Sequence, residues 1–334
     1  MRSIIVVGLI FLMGSCGSNN ELIRNQSTGE ALGTTFTIIY LANGTLNLDV
    51  EIDSVFMAVN SSLSTYIPNS DISKINRGDS TVRVDKMFKE VFKLSKKIHA
   101  QTNGYFDPTV GTLVNAWGFG PGKQIQMDSV TVDSLLNYVG FDKVSLSMED
   151  RVAKKSPNIY FDFNAVAKGY AIDRIAVMLN DKGIGNYLVE VGGELVAKGK
   201  NLIKNKPWMV GIDDPEAGEE RSLKVLINLE DRALASSGNY RKFRIDQSTG
   251  KKYVHTINPK TGYTKDSYTL GVTILADDCA TADAFATAFM AMDLDKAFKV
   301  ISMRPDLEAY IVYLDEKGKT QEFLTKGFAK LVVD

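Results

Sequence analysis

Hydrophobic and polar positions along this chain follow two periods, and the switches between them outline the elements. Residues 34–42 (TTFTIIYLA) are β-branched and aromatic and predict a strand. Over residues 50–63, Ile52, Val55, Phe56, Val59 and Leu63 recur at helical spacing. Residues 84–100 repeat that period with Met87, Phe88, Val91, Phe92, Leu94 and Ile98, and Asn103-Gly104 supplies a stop. Residues 158–163 (NIYFDF) alternate as a strand, and 165–180 read as a helix with Gly183 in position to cap its end. In the second half, 187–191, 208–212, 223–229, 270–276 and 310–314 predict strands. Residues 280–292 predict a helix whose apolar face carries Ala282, Phe285, Ala286, Phe289 and Met290. There is no strict βαβ rhythm, and the turns are short enough for antiparallel pairing. The expected class is therefore α+β, with mixed, largely antiparallel sheets and packed helices. The charged stretches 200–206 and 213–221 are loops and not long linkers, so residues 30–334 are expected to form one unit.

The first residues follow a different logic. Arg2 precedes a short apolar run from Ile4 to Met13, and Gly14-Ser15 are small, the pattern of a secretory signal over residues 1–15. Leu12-Met13-Gly14-Ser15-Cys16 resembles a bacterial lipobox, in which Cys16 is lipidated and becomes the new N-terminus. Residues 16–29 are mostly small and polar and are expected to form a lipidated tether. The chain is therefore expected in the bacterial cell envelope, lipid-anchored and facing the periplasm.

With 334 residues and 44% hydrophobic content the chain can bury a sizeable core, and its net charge of −1 offers no basic field for nucleic acid. If Cys16 carries lipid, Cys279 is the one remaining thiol; it lies near an apolar stretch and is expected to pack as a small hydrophobe. With only His99 and His255, the chain argues against a multi-histidine metal site such as that of a zinc hydrolase. His99 reads as a surface imidazole at a helix C-terminus. His255, in HTINPKTGY, lies where a strand runs into a Pro-Gly turn. Asp283 and Thr287 are four apart on one helix and share a face, supplying the hard oxygens that magnesium takes; a helix-terminal Asp serving only the dipole has the same signature. Glu190-Val191-Gly192-Gly193-Glu194 and Ser236-Ser237-Gly238-Asn239-Tyr240 read as Gly-rich turns able to approach a phosphate, or as ordinary turns.

Taken in order, these elements resemble the ApbE family of FAD:protein FMN transferases. The resemblance runs through Leu32-Gly33-Thr34-Thr35-Phe36; Leu63-Ser64-Thr65-Tyr66 with Ser70, Ile72, Ile75 and Asn76; Phe106-Asp107-Pro108-Thr109-Val110-Gly111; and Trp117-Gly118-Phe119-Gly120. It continues through Asp162 to Tyr170 (DFNAVAKGY), Gly192-Gly193, the Ser236 segment, His255 to Gly262 and Ala282-Asp283-Ala284-Phe285-Ala286-Thr287. Leu32, Asn164 and Asn258 stand where the family usually has Met, Gly and Asp.

The resemblance implies a T-fold-like architecture and a transferase that moves FMN from FAD to a Thr or Ser of another protein and releases AMP. It assigns magnesium to Asp283, Thr287 and the carbonyl of Ala165. It assigns FAD to Leu32, Tyr66, Tyr105, Phe106, Asp107, Asp162, Lys168, Gly192, Gly193, Ser237, Gly238, His255 and Ile257. His255 is then the candidate general base. Implied partners are FAD and a flavin-accepting protein, expected to be a membrane redox subunit. Two other readings use the same residues: an FAD pyrophosphatase with water as nucleophile, and an FAD-binding lipoprotein that stores the flavin. A serine acyl-transferase is excluded, because Ser248-x-x-Lys251 and Lys260-Thr261-Gly262 crowd into one hairpin region instead of lying far apart.

Overall fold

The computed structural model describes residues 21–217, 222–239, 243–245, 252–265 and 268–333. In chain order the strands are β1 Leu22–Ala31, β2 Thr34–Asn43, β3 Val144–Leu146, β4 Val152–Lys154, β5 Tyr187–Val191, β6 Glu194–Lys198, β7 Trp208–Asp213, β8 Leu223–Leu229, β9 Arg232–Gly238, β10 Phe243–Ile245, β11 Lys252–Val254, β12 Thr269–Ala276, β13 Glu308–Leu314 and β14 Thr320–Leu324. The helices are α1 Asp49–Leu63, α2 Asp71–Asn76, α3 Lys86–Gln101, α4 Gly111–Ala116, α5 Ser129–Leu136, α6 Asn164–Asp181, α7 Cys279–Ala291, α8 Leu294–Ser302 and α9 Lys326–Ala329.

Eight strands form one sheet in the order β1-β2-β5-β6-β9-β12-β13-β14, and every neighbouring pair is antiparallel. The α+β expectation is met. Both faces of this sheet are covered. On one side Phe36, Ile38, Val189, Val191, Ala235 and Ile274 pack against α1, α3, α6 and α7 in the larger core. On the other, Leu195, Leu234, Leu275 and Tyr310 meet Trp208, Val210, Ile227 and Leu229 of the β7–β8 ribbon and Phe328 of α9. A satellite cluster holds Leu113 and Trp117 beside Val132, Val139 and Ile257.

The helices sit where the 3.6-residue period placed them, and α7 has a special position. It is built from CATADAFATAFMA, and all of it except Thr281 and Thr287 is buried. Its apolar stripe therefore extends around nearly the whole helix, as expected for a helix packed on several sides. Small residues permit this. A side chain on Gly169 of α6 would meet the Cys279 carbonyl at 2.4 Å, so α6 and α7 pack backbone to backbone there.

Three expectations are corrected. Residues 22–29, expected to belong to a polar tether, form most of β1, so the boundary placed at residue 30 falls inside a strand. Its side chains are polar because β1 is an edge strand whose residues are largely exposed, and Asn25 and Ser27 are buried polar. Residues 158–163 are extended but not a ladder strand. The Asn76 amide takes both backbone groups of Phe161, accepting its N–H at 2.7 Å and donating to its carbonyl at 2.9 Å. Residues 236–238 are the end of β9, in the middle of the sheet, and not a turn. The signal segment, Cys16 and Tyr240 lie outside the described residues. Among the described residues, no helix is long and apolar enough to cross a membrane.

Candidate active site

Two hairpin tips meet at one end of the sheet. Leu32 and Gly33 join β1 to β2 with φ of 54° and 75°, and Gly192 and Gly193 join β5 to β6 with φ of 59° and 87°. Two successive left-handed residues give the tight turn whose twist matches the flanking strands. For Leu32 that backbone is uncommon and costs about 1–2 kcal/mol. The tips touch: Gly192 N–H donates to the Thr35 carbonyl at 3.0 Å, and a Cβ on Gly192 would meet Thr34 at 2.8 Å. Glu190 fixes the second tip by accepting from Gly193 N–H at 2.6 Å.

The second tip delivers Glu194 to the helix layer. Its carboxylate, 5% exposed, lies 2.9 Å from the Lys168 ammonium of α6. Burial works against the Lys168 charge, but Glu194 and then Asp283 outweigh it, and the ammonium is pushed up to about 12. Asp283 of α7 is buried and accepts from Gly169 N–H at 3.3 Å. Burial first, then the Glu194 carboxylate, hold its carboxyl well above the usual carboxylate range, with Lys168 opposing. Gly169 lies one turn after Ala165 on the same side of α6. Thr287, one turn along α7, is half-buried on the same face. Asp283 thus meets α6 one turn from Ala165, and Thr287 follows it by one turn of α7.

That donor set fits the ion. It offers a carboxylate, a hydroxyl and a carbonyl, all hard oxygens, and leaves positions for phosphate and water. A carboxyl raised by burial and by a neighbouring carboxylate is one whose ionised form a divalent cation would favour. Among the described residues, no three His, Cys, Asp or Glu side chains converge as a metal group. Glu194, which no sequence motif singled out, joins this cluster. Its signal was its place directly after Gly192-Gly193, in a strand whose partner face is α6.

Asp173 supports α7 from behind. Its two carboxylate oxygens accept from Cys279 N–H at 2.8 Å and Ala280 N–H at 2.9 Å. Burial, then the nearby Asp278, push Asp173 up to about 7. The folded chain thus holds a proton that an unfolded Asp releases near its ordinary 3.8. This contribution to stability is full below 3.8 and falls as pH rises through about 7. Asp173→Asn should flatten that limb of a melting-temperature profile against pH. It should also lower the melting temperature at acid pH, because one N–H at the start of α7 loses its acceptor. An unchanged profile would show that Asp173 is not the titrating group.

The first motif blocks form a second wall. Pro108 accepts from Asp162 N–H at 2.7 Å, and Asp162 accepts from Asn164 N–H at 2.8 Å, opening α6. Gly111 leaves space for Tyr160, whose ring and carbonyl a Cβ there would meet at 2.7 Å. Tyr66 is 58% exposed. Its phenol is raised by partial burial and then by Asp162 and Tyr160, which places the three together. Phe106 is buried in the core. Asp107 is committed internally: it accepts from Thr109 N–H at 2.9 Å and Thr109 Oγ1 at 2.6 Å, and lies 3.3 Å from His99 Nε2. His99 is therefore a half-buried partner of Asp107 and not a surface imidazole. Tyr105 accepts from Lys296 Nζ at 2.9 Å.

His255 is half-buried just past β11. The turn that follows it is tied down on three sides. Thr256 Oγ1 donates to Asn239 at 2.8 Å, Trp117 Nε1 donates to the Gly262 carbonyl at 2.8 Å, and Asn258 accepts from Lys260 N–H at 2.8 Å. The WGFG block, the end of β9 and the His255 segment are thus one unit. Ile257 is buried against Leu113 and Trp117 in the satellite cluster, below the turn. Ser237 is half-buried and pairs with Val272; alternation puts its side chain on the face of the sheet that α7 covers, while Ser236 bonds Thr273 at 2.8 Å on the other. Cys279 is buried and free, as a packed thiol should be.

The chain matches the ApbE family over residues 32–311. An FAD:protein FMN transferase of Haemophilus influenzae is 33% identical, covering 98% of this chain and 95% of that protein. One from Vibrio cholerae is 32% identical over 97% of each. Among solved structures, the flavin transferase ApbE from Vibrio cholerae superposes with a TM-score of 0.83 at 29% identity, covering 93% of this chain and all of the other. An ApbE protein from Thermotoga maritima gives a TM-score of 0.81 at 27% identity over 93% and 100%.

Proposed function

The chain belongs to the ApbE family, and from that premise we propose that it transfers FMN from FAD to a Thr or Ser hydroxyl of an acceptor protein, with magnesium bound and AMP released. The observation that carries the reading is the junction of Asp283, the first turn of α6 and the Lys168–Glu194 pair beside the two hairpin tips. It concentrates one cation and hard oxygens where a pyrophosphate would need both.

Magnesium held by Asp283, Thr287 and the Ala165 carbonyl would neutralise pyrophosphate charge and polarise the attacked phosphorus. Lys168 binds phosphate oxygen, and Glu194 orients it. Tyr66 stacks on a planar ring of FAD, with Asp162 beside it for polar recognition. Leu32, Gly192 and Gly193 bring main chain close to the ligand, and Ser237 and Gly238 line the sheet floor. Tyr105, Phe106 and Asp107 shape the adjoining wall, Asp107 by holding its loop. His255 takes the proton from the acceptor hydroxyl, and Ile257 anchors the turn that aims it.

Incubation with FAD, Mg²⁺ and an acceptor separates the readings. Transfer gives a fluorescent protein band with AMP, hydrolysis gives free FMN with AMP, and storage gives no AMP. Free FMN without a labelled protein would replace transfer by hydrolysis.

The leader motif supports an envelope location, with Cys16 lipidated, the domain facing the periplasm and a membrane redox subunit as acceptor. Fatty-acid labelling should mark the wild type and leave Cys16→Ser unlabelled. A labelled mutant would discard the anchor.

A further inference from the structure

β1 is an edge strand that runs directly into the candidate site. Its ten residues pair with β2 in one unbroken register, from Leu22↔Asn43 to Ala31↔Thr34. Three backbone bonds fix which way its main chain faces. Gly192 donates to the Thr35 carbonyl and Leu41 to the Asn186 carbonyl, so odd residues of β2 turn toward β5. Gly44 donates to the Glu21 carbonyl, continuing the bonding pattern toward β1. Hence Ile23, Asn25, Ser27, Gly29 and Ala31 bond β2, while Arg24, Gln26, Thr28 and Glu30 turn their N–H and C=O groups outward. Those four residues are all exposed.

Natural sheets blunt such edges with prolines, bulges, short strands or covering elements. β1 has no proline and no bulge, and among the described residues nothing pairs with its outer side. The opposite edge, β14, is only five residues long. A long open edge is a template for an added strand, with main-chain bonds giving affinity and side-chain pockets giving choice. Its end is the Leu32–Gly33 tip, and Thr34 directly after that tip touches Gly192, two residues before Glu194. At about 3.4 Å per residue, Thr28 lies about 14 Å from that tip, within the span of one short segment.

We infer that the acceptor protein docks by adding an extended segment to the outer edge of β1, antiparallel or parallel, so that its hydroxyl residue continues past Ala31 into the site. This rests on the transferase reading of that site. The bond formed is from the hydroxyl oxygen to the FMN phosphorus, the bond broken is the FAD pyrophosphate, and the proton goes to His255.

A proline at an outward position removes an edge donor and leaves the β1–β2 ladder intact. Thr28→Pro and, at a second outward position, Gln26→Pro are compared with Thr28→Ala in a strain of the source organism lacking the gene, using in-gel flavin fluorescence of the membrane fraction. The purified proteins are compared for FAD affinity and sedimentation. The expected result is loss of protein labelling by about tenfold or more in both proline variants, the scale of a lost main-chain hydrogen bond plus the ring's clash. Thr28→Ala should label normally, and all variants should bind FAD as the wild type does. Labelling by both proline variants at the wild-type rate, with FAD affinity kept, overturns edge docking while the transferase reading stands. A wild-type dimer that the proline variants dissolve also overturns it, by making the edge an interface between copies. If the wild type itself labels nothing, the transferase reading falls and this inference with it.

Discussion

His255→Ala should lose FMN transfer by about 10²–10⁴-fold while FAD affinity stays near that of the wild type, the scale of a positioned general base. The imidazole follows β11 at the start of a turn that Trp117 and Asn239 hold rigidly. Its neighbours Thr256 and Asn258 carry that scaffold, so truncating the ring removes a proton acceptor without removing the turn. Measuring FAD affinity and single-turnover rate on one preparation decides the matter. Unchanged turnover in a folded His255→Ala protein would remove the base assignment; joint loss of melting temperature and FAD binding would make His255 a support of the turn.

Asp283→Ala should abolish the response to Mg²⁺. Removing the ion from the wild type with EDTA should stop AMP release, and added Mg²⁺ should restore it; the variant should stay inactive at any Mg²⁺ concentration, a loss of about 10²-fold or more if charge neutralisation supplies several kcal/mol. A second readout is independent of turnover. Mg²⁺ should raise the wild-type melting temperature, because it binds the folded chain, and should leave the variant unmoved. The sign of the pH dependence follows from burial and then Glu194, which raise the Asp283 carboxyl well above the usual carboxylate range. Mg²⁺ binds the ionised carboxylate, so the Mg²⁺-induced shift should grow as pH rises. A Mg²⁺ response that survives the substitution would move the metal elsewhere.

Glu194 links these two predictions to the fold. It faces Lys168 across the α6–sheet junction and raises both that ammonium and the Asp283 carboxyl.

Sequence by itself determined the elements whose side chains repeat with one period over many residues. α1, α3 and α6 follow from apolar residues three and four apart, and β2, β5 and β8 from dense β-branched residues, because these patterns decide locally which face can be buried. The motif order was likewise legible, and it pointed to Asp283, Thr287 and the first turn of α6 before any geometry was known. Tertiary structure decided what depends on neighbours distant in sequence. β1 is polar and exposed because it is an edge, and a strand needing only one paired side carries no apolar run to announce it. Residues 158–163 alternate like a strand but give the Phe161 backbone bonds to Asn76, 85 residues away. Ser236-Ser237-Gly238 reads as a turn, yet two flanking strands fix it inside the sheet. His99 looked like a surface residue until the chain brought Asp107 to it. Glu194 looked like the far side of a glycine turn until the packing of α6 and α7 through Gly169 set it between Lys168 and Asp283. In each case the decisive term is a hydrogen bond or charge whose partner the chain places there only when it closes.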